Sequence, residues 1–346
     1  MINQFRNAWK QRRALTGNML YWSGLASLYE MMARPEGAIV LMYHSVAESK
    51  ASEFVDPPNR ISPELFNAQM TFLKNWRNVI SMSQLIADLE AGRTPEAGTV
   101  CLTFDDGYRD NYTVVAPILR DHGLPATIYL ATEYVSRQKN QWADELFVAM
   151  HRRTLHRLRV PTLSIDADLR HAPGFLSARR ALHKALLEST FEQRHSILAA
   201  VKNDLKPDGE ALVPRLTMNW DEVRRLAEDY PLIEIGGHSC SHLDLRAHCD
   251  GLAASEINGC CDDVLRETGT KPAHFSFPYG RWAPASRDIV VNAGWRSAVG
   301  SSPEVRVTST TDRFVIPRVE TPQSMHVLRF VTSGGYPGAY AMLGKQ

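Results

Sequence analysis

Residues 99–108 read TVCLTFDDGY. Val100, Cys101, Leu102 and Phe104 make a near-continuous apolar run, the pattern of a strand covered on both faces, as in a parallel α/β sheet. Gly107 supplies the permissive backbone a turn needs. The carboxylates of Asp105 and Asp106 therefore fall at the carboxyl end of a core strand, where α/β proteins place their active sites. Alternatively, one Asp caps the next helix and the other faces water. Metal ligands or oxyanion donors elsewhere in the chain decide between these readings.

Outward from that strand, short apolar runs alternate with helical patterns. Ala38–Tyr43 (AIVLMY) reads as the first strand, with Tyr43 and His44 at its carboxyl end. Ser62-Pro63-Glu64 opens a helix, with Ser62 as cap and Pro63 at the first position. Val79-Ile80 forms a brief strand, Ser83 starts a helix through Leu89, and Ala126–Leu130 is a further strand. The rhythm then breaks. Residues of about 137–217 read as a basic, helical insertion, its charge runs forming solvated helix faces. Beyond it, strands are expected at 232–235, 273–277 and 297–299, with an edge at 314–316. Such alternation indicates a parallel barrel or a doubly wound sheet.

The chain has 346 residues, ordinary apolar content and a net charge of +1, so nothing suggests a nucleic-acid partner. Its five cysteines are scattered and form no disulfide framework, which favours a reducing, cytoplasmic setting. Residues 1–34 read as an amphipathic helical segment, with Trp9, Leu15, Met19, Trp22 and Leu25 among its apolar anchors and Lys10, Arg12 and Arg13 as its basic cluster. It either packs on the protein's own surface or makes peripheral contact with the inner face of a membrane. It lacks a secretory signal's uninterrupted apolar core, and no stretch is apolar enough to span a bilayer. Residues 35–346 are expected to form the main domain. Oligomeric state is not legible.

Two further stretches carry chemistry. GGHSCSHLDL (236–245) follows an apolar strand. Its His238 and His242 are four apart, so on a helical turn they would share one face and could share a metal. A metal held by two imidazoles and one carboxylate keeps open positions for water and substrate, and leaves the other Asp free to act as base. HFSFPYGRW (274–282) turns sharply at Pro278-Tyr279-Gly280, where the Tyr279 N–H could face a developing oxyanion.

Together, TFDDGY, His238-Ser-Cys-Ser-His242 and Phe277-Pro-Tyr-Gly resemble the first three motifs of the polysaccharide deacetylase family, the nodulation-protein-B homology domain of carbohydrate esterase family four. Leu41-Met-Tyr-His-Ser-Val46 also resembles the opening strand of members found with exopolysaccharide synthesis. The resemblance implies a distorted (β/α)7 barrel, here with a helical insertion and an N-terminal amphipathic helix. It implies Asp105 as catalytic base, Asp106, His238 and His242 as ligands of a divalent metal, usually zinc, and Tyr279 as oxyanion donor. Gly294-Trp295 resembles the fourth motif, whose Trp packs under the site.

Two departures stand out. Ser276 occupies the place where many members carry an Arg that orients the base. The late Leu-x-His motif that supplies the general acid is absent from Phe314-Val-Ile-Pro-Arg318-Val-Glu320. His44 is read first as a substrate or structural contact and second as a stand-in acid, with Arg318 the next candidate for an orienting role. Trp142 and Asp144 are expected to border the cleft. The implied reaction is metal-dependent removal of N-acetyl groups from a sugar of a polysaccharide or its precursor. The alternatives are O-deacetylation of a saccharide and non-catalytic glycan binding.

Overall fold

The computed structural model describes residues 35–47, 51–209, 212–248, 251–302 and 304–333. The helical segment expected over 1–34 lies outside them. The described chain enters on β1 (Ile39–Tyr43), followed by the short pair β2 (Ser45–Val46) and β3 (Arg60–Ile61). Helix α1 (Pro63–Trp76) starts where expected, the Ser62 hydroxyl accepting the Leu65 N–H at 3.2 Å. After β4 (Asn78–Val79), helix α2 (Met82–Glu90) is capped by Ser81 rather than opened by Ser83. Ser83 sits inside the first turn, its hydroxyl 3.0 Å from His274 Nε2.

All residues of β5 (Thr99–Phe104) are buried, as its apolar run requires. A wide turn then feeds α3 (Ala116–His122), which Gly123 ends at φ 68°. Strand β6 (Ala126–Leu130) and helix α4 (Thr132–Arg137) lead out of the barrel.

The segment that follows is not helical throughout. Between α5 (Trp142–His151) and the helices α6 (Ala172–Leu187) and α7 (Phe191–Leu205) lies an antiparallel hairpin, β7 (Arg157–Val160) with β8 (Ile165–Asp168). In β7 Leu158 and Val160 are buried while Arg157 and Arg159 are exposed. That is the period of a strand, hidden in a basic run that reads as a helix face. Leu158 and Val160 join Leu146, Met150, Leu182 and Leu198 in a core that runs on into Ala131 and Tyr134 at the barrel exit.

The barrel resumes with α8 (Trp220–Asp229), β9 (Ile233–Gly237), α9 (Gly251–Thr268), β10 (His274–Ser276), α10 (Pro284–Asn292) and β11 (Ser297–Gly300). It ends with β12 (Ile316–Pro317), β13 (Val319–Glu320) and α11 (Met325–Thr332). The sheet order is β12-β11-β10-β9-β6-β5-β1-β13, with β4 added on β5. All of these pairings are parallel. β12 pairs with β11 and β13 with β1, and only Arg318 separates them. One segment, 316–320, thus closes the ring, and the result is a distorted (β/α)7 barrel. This last strand begins two residues later than the expected 314–316.

Alternate strand residues divide the two faces. Leu41, Leu102, Phe104 and Ile128 pack outward under helices, against Phe66, Met70 and Leu119. Val40, Cys101, Tyr129, Val299 and Ile316 cluster on the other face with Leu85 and Ile86 of α2. Among the described residues no helix is long and apolar enough to cross a membrane.

Candidate active site

Strand β5 runs straight into the carboxylate pair. The Asp105 N–H still donates to Tyr43 O at 2.9 Å, extending the sheet by one rung. The chain then turns through Asp106 (φ 74°) and Gly107 (φ 67°), so the two carboxylates diverge. At Gly107 a Cβ would stand 2.8 Å from Leu130 Cδ2, so a larger residue would push into the barrel wall.

Strand β9 carries the histidines to the same rim. His238 N–H donates to Leu130 O at 2.8 Å, and His238 Nδ1 lies 2.8 Å from Ser276 O. That bond fixes a donor at Nδ1 and turns the lone pair of Nε2 toward the Asp pair, 3.7 Å from Asp105 Oδ2 and 3.7 Å from Asp106 Oδ1. His242 arrives differently from expectation. Residues 238–243 are not a helical turn; Ser239 (φ 60°) and His242 (φ 55°) are left-handed, and this curled loop brings the second ring back. His242 Nε2 lies 3.2 Å from Asp106 Oδ1, and the two imidazoles meet edge to face at 4.7 Å.

The ligand atoms of Asp106, His238 and His242 lie within 4.8 Å of one another, and all three residues are buried. Asp106 Oδ1 nonetheless makes no hydrogen bond, and neither does His242 Nδ1. Buried polar atoms without a partner are costly. Donor atoms around a tetrahedral zinc lie about 3.4 Å apart, given bonds of about 2.1 Å. One carboxylate and two imidazoles so placed fit a divalent metal. Burial pushes the His238 imidazole down to about 4 despite its carboxylate neighbours, so at neutral pH it is an uncharged donor.

Asp105 is held apart from that set by Arg318. The guanidinium grips it with both arms, Nη1 to Oδ1 at 2.7 Å and Nη2 to Oδ2 at 2.6 Å, and Nη2 also reaches Ser276 Oγ at 3.0 Å. Burial alone would raise the Asp105 pKa; the Arg318 charge outweighs it and holds the carboxyl well below the usual carboxylate range. Arg318 thus stands against Asp105 from the closing strand, while Ser276 occupies the β10 position. The signal in the sequence was a lone arginine between the apolar Ile316-Pro317 and Val319.

His44 follows β1, and Asn111 Nδ2 donates to its carbonyl at 2.8 Å. Tyr43 pairs with Phe104, so His44 shares the rim with the Asp pair that follows β5. Tyr279 is left-handed (φ 59°), as the Pro-Tyr-Gly turn requires. Its ring meets His242 at 4.4 Å, and its hydroxyl accepts from Trp142 Nε1 at 2.8 Å. Trp295 is buried against Phe275 at 5.2 Å, beneath Gly237, where a Cβ would stand 2.5 Å from its ring. Asp144 does not join the ligand set. Tyr108 Oη donates to it at 2.7 Å and the Asp56 N–H at 2.9 Å, and burial pushes its carboxyl up to about 8. The structure therefore gathers Asp105, Asp106, His238, His242, Tyr279 and His44 at one end of the barrel.

Comparisons with known proteins bear on the family and the fold. A family profile for polysaccharide deacetylases matches residues 92–298, more than half of the chain. The YxkH protein of Bacillus subtilis, which carries the same family designation, is 25% identical over 168 residues. That match covers 48% of this chain and 57% of YxkH, so the chain spans little more than half of that relative. In fold, the chain is similar to the Streptococcus pyogenes deacetylase PplD, solved with acetate (TM-score 0.56, 15% identity, 86% of this chain and 98% of the other). It is also similar to IcaB from Ammonifex degensii (TM-score 0.57, 14% identity, 86% and 97%). A third similar structure is a de-N-acetylase from Aggregatibacter actinomycetemcomitans (TM-score 0.52, 18% identity, 85% and 99%).

Proposed function

This chain belongs to the polysaccharide deacetylase family, and we propose that within it the protein is a metal-dependent N-deacetylase acting on an N-acetylated sugar of a polysaccharide or its precursor. The observation that carries this reading is the division of the Asp pair. Asp105 is locked as an anion by Arg318, while Asp106 faces two imidazoles and keeps an oxygen without a hydrogen bond.

In this reading Asp106, His238 and His242 hold the metal, with zinc the best match to the donor set. When bound, the cation polarises the acetyl carbonyl and makes water at the site more acidic. Asp105 takes the proton from the attacking water; the Arg318 charge keeps it ionised, at a cost in basicity, and the two-armed grip keeps it aimed. The Tyr279 N–H donates to the oxyanion, a contact of a kind worth about 3 kcal/mol. His44 donates a proton to the departing amine, which matters because an amine is a poor leaving group unless protonated. A similarly folded protein described as a de-N-acetylase supports the choice of nitrogen over oxygen.

The test is acetate release by the zinc-loaded protein from a panel of N-acetylated and O-acetylated saccharides. Release from the amides supports the reading. Release from the esters alone would make the protein an O-deacetylase, and glycan binding without any release would make it a non-catalytic member.

A further inference from the structure

The segment joining the two histidines has no regular structure to hold it, and two of its residues are left-handed without being glycine. Such backbone persists only where its surroundings over-determine it. The carbonyls of residues 239–242 show how this is done. Ser239 O accepts from the Thr132 N–H at 3.2 Å and Cys240 O from the Glu133 N–H at 2.9 Å, both at the start of α4. Ser241 O accepts from Arg194 Nη1 at 2.7 Å. His242 O accepts from the Tyr279 hydroxyl at 3.1 Å, and that hydroxyl in turn accepts from Trp142 Nε1 at 2.8 Å.

The third support originates in the insertion, and the fourth, from Tyr279, is backed by it. Arg194 on α7 is almost wholly buried, at 1% exposure, an expensive place for a guanidinium. Its Nε takes Leu186 O at 2.8 Å, at the carboxyl end of α6 where carbonyls lack helical partners, and its other arm leaves the insertion to reach the ligand loop. Trp142 opens α5, and the Arg194 guanidinium lies 5.8 Å from its ring. The barrel also holds this loop, since Glu256 on α9 accepts from the Ser241 N–H at 2.8 Å and from the Ser241 hydroxyl at 2.7 Å; the two insertion side chains act beside it, toward the His242 end.

We propose that the insertion is a positioning device for the metal-ligating loop, with Arg194 and Trp142 as positioning residues that set the His242 imidazole through Ser241 O and the Tyr279 hydroxyl. This rests on the proposed role of His242 as a ligand. Partners that orient ligands from behind change metal affinity about 10- to 100-fold when removed. The core at Leu158, Leu182 and Leu198 is continuous with Ala131 and Tyr134, which ties the insertion to the barrel.

The experiment measures zinc affinity of the full chain by competition with a chromophoric chelator, alongside the thermal midpoint without zinc. Trp142→Phe removes the N–H and keeps one aromatic ring; Tyr279→Phe removes the hydroxyl and keeps the turn. Each single variant is expected to bind zinc about tenfold or more weakly, with its metal-free midpoint near the parent's. The double variant should be no weaker than the worse single one, because both act on one path. Arg194→Met should weaken zinc further, and if it fails to fold, the two aromatic variants still decide. Zinc affinity at the parent's level in Trp142→Phe and Tyr279→Phe, or additive losses in their double variant, would overturn the proposal. A parent that binds no zinc would overturn the ligand assignment itself, and the proposal with it.

Discussion

At the scale of single residues, the site depends on two adjacent carboxylates having opposite surroundings. Asp105 meets a guanidinium on both oxygens; Asp106 meets imidazoles. The sequence displayed the pair, the histidines and the Pro-Tyr-Gly turn, because each follows directly on an apolar strand. It did not pair Arg318 with Asp105, since the two lie 213 residues apart and no local spacing links them. The prediction at this scale concerns Arg318. Arg318→Met leaves Asp105 as an uncompensated buried charge and should cost about 3–5 kcal/mol of stability. It should lower kcat far more than it changes KM, while zinc content stays at the parent's level. Arg318→Lys should not restore turnover, because a point charge cannot grip both oxygens. Ser276→Arg combined with Arg318→Met should recover part of it by returning a guanidinium from β10, where Ser276 already lies 3.0 Å from Arg318. Parent-level acetate release by Arg318→Met would remove Arg318 from the mechanism.

At the scale of elements, the barrel strands and α1 were legible because their signals are local: apolar runs, the Ser62-Pro63 start, the glycine after α3. Two elements were not. The hairpin β7–β8 was hidden because alternating arginines on a strand resemble a basic helix face when read by charge. The ligand loop was misread as a helical turn because a four-residue spacing fits one, whereas left-handed residues at 239 and 242 achieve the same convergence. The join between α5 and the barrel carries its own prediction. Asp144 on α5 is buried among Tyr108, the Asp56 N–H and the nearby Asp56 and Asp106 carboxylates, and burial raises its pKa to about 8. An unfolded Asp titrates near about 3.9. The folded state therefore holds more protons through the window between, so the contribution of Asp144 to stability is intact below about 4 and declines as pH rises to about 8. Asp144→Asn removes that dependence. Thermal midpoints at pH 5 and pH 8 should fall less for Asp144→Asn than for the parent; equal falls would show that Asp144 is ionised in the folded protein across this range.

At the scale of the whole molecule, one short segment does two things. Residues 316–320 close the barrel by pairing with β11 on one side and β1 on the other, and the residue at the switch is Arg318, which grips Asp105. Closure and chemistry are thereby set by the same backbone. The number of strand positions was not readable from periodicity, because the closing strand is two dipeptides around an arginine; the resemblance to the deacetylase family supplied it. The insertion, which reads in the sequence as an interruption, lies against the loop that carries His238 and His242. The central claim is that Asp105 acts on water while Asp106, His238 and His242 hold the metal. Zinc content and acetate release, measured on the same preparations of the parent and Asp105→Asn, test it most directly. The account predicts equal zinc in both proteins, acetate release from N-acetylated saccharides by the parent, and a loss of about 10²–10⁴-fold in Asp105→Asn, because an amide cannot accept the proton. Undiminished acetate release by zinc-loaded Asp105→Asn would contradict it.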